Sequence, residues 1–221
     1  ARADYPDGEM VIHPCLDGRD TPPRSSLEYL AKLDQVIKTI PKCTIGTVMG
    51  RYYAMDRSSA WTLTDQAYHC IVSAEGRHAP SAQAAVMESY ERDKTPDQVE
   101  MFDEYIPPYC IGDYRLVADG DCMLHTNYRQ DRAIQLSRAF VDPNYPGTLK
   151  RKPEIVYRGF TRYYDEFEDY LMEPMGGGGS MAHLLGEVLS AAGFRQLRIS
   201  ETQKYRHVTS FFNGKSTTPY A

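Results

Sequence analysis

CTIGTVMGRYYAMDR, residues 43–57, combines the two features from which the fold of this chain can be predicted. Its first half is a short run of apolar and β-branched residues, which is typical of a buried strand. Its second half places two arginines, two tyrosines and an aspartate directly after that strand. Ligands of parallel α/β sheets bind beyond the carboxyl ends of the strands. The stretch therefore indicates a sheet with a site for a small, highly charged anion at its edge.

The same order of strand, polar turn and helix recurs on both sides of this stretch. Apolar runs predict the strands, and apolar stripes with a spacing of three to four residues predict the helices. This alternation predicts an α/β fold, a three-layer α/β/α sandwich with a mostly parallel central sheet. The predicted strands are 10–16, 43–50, 122–129, 154–160 and 195–200, and the predicted helices are 27–40, 61–75, 81–92, 130–140 and 181–192.

Local signals indicate where some of these helices begin and end and which faces they bury. Ser25 and Glu28 have the spacing of a capping box, which predicts a helix start there. Gly76 is expected to end the second helix. Residues 205–213 fit a strand or a helix equally well. In the helix at 181–192, four residues are expected to face inward: Leu184, Leu185, Val188 and Leu189.

The composition excludes several classes of protein. The chain has 221 residues, 42% of them hydrophobic and 25% charged, which is typical of a soluble globular protein with one large domain or two small ones. Lys and Arg total 25 against 30 Asp and Glu, and this net charge of -5 argues against a nucleic-acid binder. No apolar run reaches membrane length and no signal peptide opens the chain, so neither a nucleic acid nor a membrane is expected as a partner.

Cysteine usage indicates a reducing compartment. The chain has five cysteines, an odd number, and no CxxC pair, which makes a zinc site or a disulfide framework unlikely. Cys15, Cys43 and Cys122 fall in predicted strands, so they are expected to be buried free thiols. We therefore expect a cytoplasmic protein.

Three charged turns, each after a predicted strand, carry the strongest functional signal. They are LDGRD (16–20), GRYYAMDR (50–57) and NYRQDR (127–132). If all three lie at one sheet edge, five arginines converge there, enough for a ligand with both a phosphate and a carboxylate. Asp20 among them could take or give a proton at a hydroxyl. The alternative is that these arginines only form solvated surface ion pairs. The charged residues are Asp17, Arg19, Asp20, Arg51, Asp56, Arg57, Arg129, Asp131 and Arg132.

Other polar residues give weaker signals. His13 lies inside a predicted strand and is expected to be a core histidine. No histidine or cysteine shows metal-ligand spacing, so no metal site is predicted in this chain. The glycine-rich segment 176–180, GGGGS, is a flexible tether or loop, which is either an engineered linker or natural sequence.

At the charged turns the chain resembles the cofactor-independent phosphoglycerate mutases, which need no bisphosphoglycerate. LDGRDTPP (16–23) and GRYYAMDR (50–57) are similar to two motifs of that family's phosphotransferase domain, and NYRQDRA (127–133) is similar to a third. Residues 185–215 resemble the stretch that closes the domain. The resemblance covers most of residues 10–215 in the family's order, and it implies that 1–221 is the phosphotransferase, substrate-binding domain of a two-domain mutase.

The resemblance also implies a mechanism. Such an enzyme interconverts 3-phosphoglycerate and 2-phosphoglycerate through a phosphoserine, in glycolysis and gluconeogenesis. The serine and two Mn²⁺ or Mg²⁺ ions belong to a phosphatase-like domain that is absent here. Asp20 is implied to be catalytic, handling a proton. The substrate-binding residues implied by the motifs are Arg19 and Asp20 for glycerate, Arg51 and Arg57 for carboxylate and hydroxyl, Arg129 and Arg132 for the phosphate side, and Lys204 for the transferring phosphoryl group.

A chain without the serine and the metal ligands is expected to bind phosphoglycerate without isomerising it. Two other functions stay open at this point. The first alternative is a non-catalytic module of the same fold that binds small anions. The second is a phosphoesterase with its own nucleophile, which would need a cluster of Ser, Thr or His with carboxylates that the sequence does not show.

Overall fold

The computed structural model describes residues 8–173, 181–201 and 204–214, with the single residues 216, 218 and 220. The chain forms two compact units, Ala1–Asp169 and Tyr170–Ala221. The predicted tether at 176–180 lies outside the described residues. No helix of the described part is both long enough and apolar enough to cross a membrane.

The first unit is an α/β structure with mostly parallel strand pairing, as predicted. β1 pairs with β3, β2 with β4, β5 with β6 and β7 with β8 in parallel, while β4 and β6 are antiparallel. The described strands form separate ladders, with β2–β4–β6–β5 as the four-stranded one. The strands are β1 (Met10–Ile12), β2 (Cys15–Leu16), β3 (Cys43–Ile45), β4 (Thr47–Gly50), β5 (Arg77–Ala79), β6 (Tyr109–Ile111), β7 (Cys122–His125) and β8 (Val156–Thr161).

Helices follow the strands in the predicted order, and their apolar faces build the core. Val48 of the central ladder is completely buried, as are Val86 and Ile106. They pack in one cluster with Leu30, which gives the four-stranded ladder a continuous apolar cover. The helices are α1 (Ser26–Ile37), α2 (Arg51–Ala54), α3 (Trp61–Ser73), α4 (Ala82–Arg92) and α5 (Gln130–Val141), and a 3₁₀ turn spans Asp103–Tyr105.

Two predicted strands are each interrupted. The stretch 10–16 breaks into β1 and β2 around His13 and Pro14, and proline cannot donate a ladder hydrogen bond. The stretch 43–50 breaks at Gly46, where a Cβ atom would lie 2.4 Å from a methyl group of Val11. The pairs β1–β3 and β2–β4 therefore belong to separate ladders.

The predicted capping box is wrong. The Ser25 hydroxyl donates to the carbonyl oxygen of Pro22, and it accepts no bond from the helix. Asp103, far away in the sequence, caps α1 instead, because its Oδ2 accepts the backbone N–H groups of Ser25 and Ser26, both at 2.9 Å. The end of α3 also differs from the prediction: Ala74, at φ 53°, follows the helix in the left-handed region ahead of Gly76.

The cysteine prediction is partly wrong. Cys43 is buried as expected, but Cys15 and Cys122 are exposed. All five cysteines are free. Both exposed cysteines lie at the first residue of a strand, Cys15 in β2 and Cys122 in β7.

The second unit contains the strand β9 (Tyr170–Met172) and the helices α6 (Leu185–Ala191) and α7 (Tyr205–Val208). The strand predicted at 195–200 is wrong, because these residues form no ladder with any described segment. Leu197 and Ile199 are 87% and 82% exposed. Leu185 and Val188, predicted to face inward, are 54% and 46% exposed. Of the two structures open for 205–213, the helical one is observed at its start.

Candidate anion-binding site

The three charged turns of the first unit meet through one continuous chain of ion pairs. The turns follow β2, β4 and β7, and β2 and β4 are parallel neighbours whose carboxyl ends lie side by side. Each arginine in this series of ion pairs contacts an aspartate of one of the three turns. In order, the series contains Asp17, Arg51, Asp20, Arg129, Asp131 and Arg57. We call these residues, together with Arg132, the arginine cluster.

Arg51 joins the second turn to the first. It is the first residue of α2, and its side chain is only 3% exposed. Its Nη1 donates to Oδ1 of Asp17 at 2.6 Å and to Oδ2 of Asp20 at 2.8 Å. Burial would lower the pKa of Arg51, but the bonds to these two aspartates hold the pKa above its usual value. A buried pair of this kind is unlike the solvated surface pairs of the alternative interpretation.

A close approach of two backbones explains the glycine before Arg51. A Cβ atom at Gly50 would lie 2.2 Å from the carbonyl oxygen of Glu104, so a side chain at this position is excluded without a backbone shift. The 3₁₀ turn that holds Glu104 thereby reaches the site. Arg19 donates its Nη1 to Oε1 of Glu104 at 3.1 Å. Among the described acids, the Arg19 side chain thus pairs with Glu104 instead of a member of the cluster.

Asp131 joins the second and third turns. It is the second residue of α5 and is 6% exposed. Its Oδ1 accepts from Nε of Arg129 at 2.8 Å, and its Oδ2 accepts from Nη1 of Arg57. Arg129 also reaches back to Oδ2 of Asp20, with its Nη1 at 3.8 Å.

Arg132 is the cation that the cluster leaves without a neutralising partner. Within the described residues no carboxylate lies within 4 Å of it, and its Nη1 donates to the carbonyl oxygen of Met55 at 3.0 Å. Burial, together with the nearby Arg57, Arg51 and Arg129, lowers the pKa of Arg132 to about 10. An anion placed among these cations would relieve their mutual repulsion.

The cluster also has unpaired hydrogen-bond donors. Within the described part of the chain, the buried Nε atoms of Arg51, Arg57 and Arg132 have no partner. A buried unsatisfied donor costs about 1–3 kcal/mol, which is the kind of deficit that a ligand-binding site retains. Four arginines face three aspartates in the cluster, so one positive charge remains for an incoming anion.

Two further predicted residues behave differently. Within the part of the chain that the structure describes, Asp56 of the second turn pairs with no arginine. It accepts from the backbone of Ser58 and Ala60 and from Nε2 of Gln135 at 2.8 Å, which fixes the entry into α3. Lys204 belongs to the second unit, where its ammonium contacts Oε1 of Glu201 at 2.5 Å. Its role at the phosphoryl group stays a prediction.

Two half-buried histidines have structural partners. His13 contacts Oγ1 of Thr47 through Nδ1 at 2.9 Å, and His125 contacts the hydroxyl of Tyr157 at 2.8 Å. Burial lowers the pKa of each imidazole to about 4. His13 is thus the core histidine that its position in the sequence predicted.

Three residues of the site were not singled out from the sequence. Glu104 lies in an irregular region without a motif, and Met55 contributes only its carbonyl oxygen, so neither carries a signal. Gln135 contacts Asp56 and Thr64 from the buried face of α5. A polar residue within an otherwise apolar helix face is the signal that could have identified it.

The comparisons with known proteins identify the family of the chain. The family model described as the N-terminus of BPG-independent PGAM matches residues 3–165. A 2,3-bisphosphoglycerate-independent phosphoglycerate mutase of Desulforudis audaxviator is 42% identical over 210 residues, covering 93% of this chain and 40% of that protein. One from Chromobacterium violaceum is 39% identical over 214 residues, covering 96% and 40%.

A solved structure is similar over the whole chain. It is the Leishmania mexicana phosphoglycerate mutase determined at low cobalt concentration, with a TM-score of 0.80 and 28% sequence identity. The match covers 100% of this chain and 42% of that one. The chain therefore spans about two fifths of the length of these similar proteins.

Proposed function

Because the chain belongs to the BPG-independent phosphoglycerate mutases, we propose that it is the substrate-binding part of such an enzyme and that its arginine cluster binds phosphoglycerate. The observation that supports this most strongly is the excess of buried cationic groups where the three turns meet. A ligand with a carboxylate and a phosphate supplies two anionic groups to such a cluster. The planar fork of arginine binds both groups in a bidentate way.

The proposed roles follow the motifs. Arg51 and Arg57 bind the carboxylate and hydroxyl end of the ligand. Arg129 and Arg132 bind the phosphate side, where Arg132 has no competing carboxylate within 4 Å among the described residues. Arg19, Asp20 and Lys204 complete the set, with Asp20 beside the glycerate hydroxyl and Lys204 at the transferring phosphoryl group.

The Asp20 carboxylate occupies the position on Arg51 that the proposed ligand would take. Its side chain is 64% exposed, and its carboxylate contacts Nη1 of Arg51 at 2.8 Å. When a substrate anion takes this position on Arg51, the Asp20 carboxylate is released at little cost because it is already solvated. A released carboxylate next to a hydroxyl can take its proton, which is the role of a general base.

The phosphotransfer chemistry itself needs groups that this part of the chain does not offer. The described residues contain no group of three or more His, Cys, Asp or Glu side chains that could hold a metal ion. A cluster with excess positive charge also repels Mn²⁺ or Mg²⁺. We propose that the serine and the two metal ions act in another domain of the full enzyme, and that this chain alone binds phosphoglycerate without interconverting its isomers.

The proposed compartment is the cytoplasm, where a glycolytic enzyme meets its substrate. Five free cysteines, two of them exposed, fit a reducing environment.

Isothermal titration calorimetry with 3-phosphoglycerate tests the proposal. Arg51→Ala and Arg132→Ala should each weaken binding by about 10-fold to 100-fold, since a charge-assisted hydrogen bond is worth about 1.5–3 kcal/mol. Arg92→Ala is the matched control, because Arg92 is exposed and pairs only along α4 with Glu88. Equal affinity in all four proteins would reject the site.

The same titrations separate the alternative functions. An anion-binding module without a substrate role should bind inorganic phosphate as tightly as 3-phosphoglycerate, whereas a phosphoglycerate site should prefer the larger ligand. Mutase turnover by the purified chain with Mn²⁺ would contradict the proposal that the serine and the metal ions act in another domain.

A further inference from the structure

We propose that Asp131 is a positioning residue for this site, whose buried carboxylate fixes the guanidinium groups of Arg57 and Arg129 in the orientation that binds the ligand. The inference rests on the proposed function, since the ligand in question is phosphoglycerate. It assigns to Asp131 a role that is distinct from those of the arginines, because Asp131 acts through them without contacting the ligand.

The contacts of Asp131 engage both of its oxygen atoms. Arg129 donates Nε to Oδ1 at 2.8 Å and Nη2 to Oδ2 at 3.4 Å, a two-point contact that fixes the plane of the guanidinium. Arg57 donates Nη1 to Oδ2. One carboxylate thus orients two arginines that lie 72 positions apart in the sequence, the difference between 129 and 57.

The carboxylate itself is held in place by its helix. Asp131 lies in the first turn of α5, where the positive end of the helix dipole favours an anion. One turn further on, Gln135 anchors α5, because its Nε2 donates to Oγ1 of Thr64 at 3.0 Å and its Oε1 accepts from the Ser59 backbone at 2.9 Å. Asp131 therefore stands on a rigid element, whereas the arginines it holds have long, flexible side chains.

Charge alone does not explain why an aspartate is present here. A negative charge beside an anion site repels the ligand, so its presence weakens binding unless it serves another purpose. Ordering two arginine side chains upon binding would weaken the affinity through lost rotamer freedom. A carboxylate that orders them beforehand removes that cost, and this gain outweighs the added repulsion.

Burial distinguishes Asp131 from Asp20, the other acid that contacts Arg129. Asp131 is 6% exposed, whereas the Asp20 side chain is 64% exposed and lies 3.8 Å from Arg129. Burial would raise the pKa of Asp131, but Arg129 and Arg57 outweigh this and hold its pKa below the usual value, so it stays ionised. Asp20 can give way to a ligand, and Asp131 remains as the fixed support.

The test relies on the opposite changes in affinity for 3-phosphoglycerate that charge repulsion and positioning predict when the Asp131 carboxylate is removed. Asp131→Asn removes one negative charge from the site; if Asp131 acted only through its charge, binding of 3-phosphoglycerate would tighten. Positioning predicts that it weakens by about tenfold, the loss expected for a broken charge-assisted contact. Asp131→Glu, which keeps the carboxylate, should recover part of the affinity. The control is Asp142→Asn at the C-cap of the same helix, where Asp142 pairs with Arg138, and its affinity should equal that of the wild type.

A second measurement needs no ligand. In ¹⁵N-arginine-labelled protein, the Nε–H of Arg129 should exchange with solvent several-fold more slowly in the wild type and Asp131→Glu than in Asp131→Asn. Equal exchange in all three, or tighter binding by Asp131→Asn, overturns the positioning role. Absence of 3-phosphoglycerate binding by the wild type would reject the proposed function, and the exchange data would still decide whether Asp131 holds Arg129. If Asp131→Asn does not fold, the affinities of the wild type and Asp131→Glu are compared: the charge is the same in both, so positioning predicts weaker binding by Asp131→Glu, and equal affinity would overturn it.

Discussion

The arginine cluster of the first unit and the segment 195–200 of the second unit reverse the usual relation between residue type and burial. Arg51 carries a full charge and is 3% exposed, whereas Leu197 is apolar and is 87% exposed. The difference lies in the partners that each residue finds. Arg51 has two carboxylates within hydrogen-bonding distance, while no described strand pairs with the apolar segment.

This contrast shows that burial is decided by what surrounds a residue. A buried charge is tolerated only when it is paired and hydrogen-bonded, and the turns of the first unit supply both conditions. An apolar run becomes a strand only where another strand completes its backbone hydrogen bonds. Three pairs of measurements can sharpen or break the comparison.

The largest effect is expected at Gly50. A methyl group there would collide with the backbone of Glu104, so Gly50→Ala should lower the free energy of unfolding by at least about 3 kcal/mol. Gly193 of the second unit is the counterpart: it has φ +79°, and no heavy atom of the described residues lies within 4 Å of an added Cβ atom. Gly193→Ala should cost only about 1 kcal/mol, from backbone strain alone. Urea unfolding followed by circular dichroism measures both, and equal losses would contradict the close packing at Gly50.

The second prediction compares the change in the free energy of unfolding at two leucines. Leu30 of α1 is 2% exposed and packs in the main core cluster, so Leu30→Ala should cost about 3 kcal/mol. Leu197→Ala should change the free energy of unfolding by less than about 0.5 kcal/mol. A loss above about 2 kcal/mol for Leu197→Ala would show that this residue is buried in solution and would contradict the comparison.

The smallest effect is a pH dependence of the first unit. The folded protein keeps His125 neutral down to about pH 4, whereas an unfolded histidine takes up its proton near 6.5. Unfolding therefore binds a proton between these values, so the stabilisation is complete above about pH 6.5 and is lost as the pH falls towards 4. His125→Gln should reduce the loss of stability between pH 7 and 5 by roughly 2 kcal/mol.

Fluorescence of Trp61, the one tryptophan of the sequence, follows this unfolding because it lies in α3 of the first unit. Leu30→Ala is the control, since it should lower stability equally at both pH values without adding or removing a titrating group. If His125→Gln keeps the full pH dependence, the half-buried neutral histidine is not its source.

The sequence predicted the cluster for a physical reason. Polar residues directly after β2 and β4 must lie together once those strands are parallel, so the proximity of Asp17, Asp20 and Arg51 follows from the strand pattern. The predicted helices at 81–92 and 130–140 are confirmed as α4 and α5, since an apolar stripe over three turns is a strong local signal.

Contacts with distant or irregular segments could not be predicted. Asp103 replaces the expected capping box because a carboxylate 77 residues beyond Ser26 reaches the start of α1. Glu104 meets Arg19 for the same reason, through a 3₁₀ turn without a motif. The apolar pattern at 195–200 gave no information on whether a partner strand exists.

The most direct test of the account is a structure of the chain bound to 3-phosphoglycerate. The account predicts that the carboxylate and the phosphate contact arginines from different turns, with Arg51 and Arg132 on separate anionic groups, and that the Asp20 carboxylate has left Arg51. A ligand held by the arginines of a single turn, or bound away from the cluster, would contradict it.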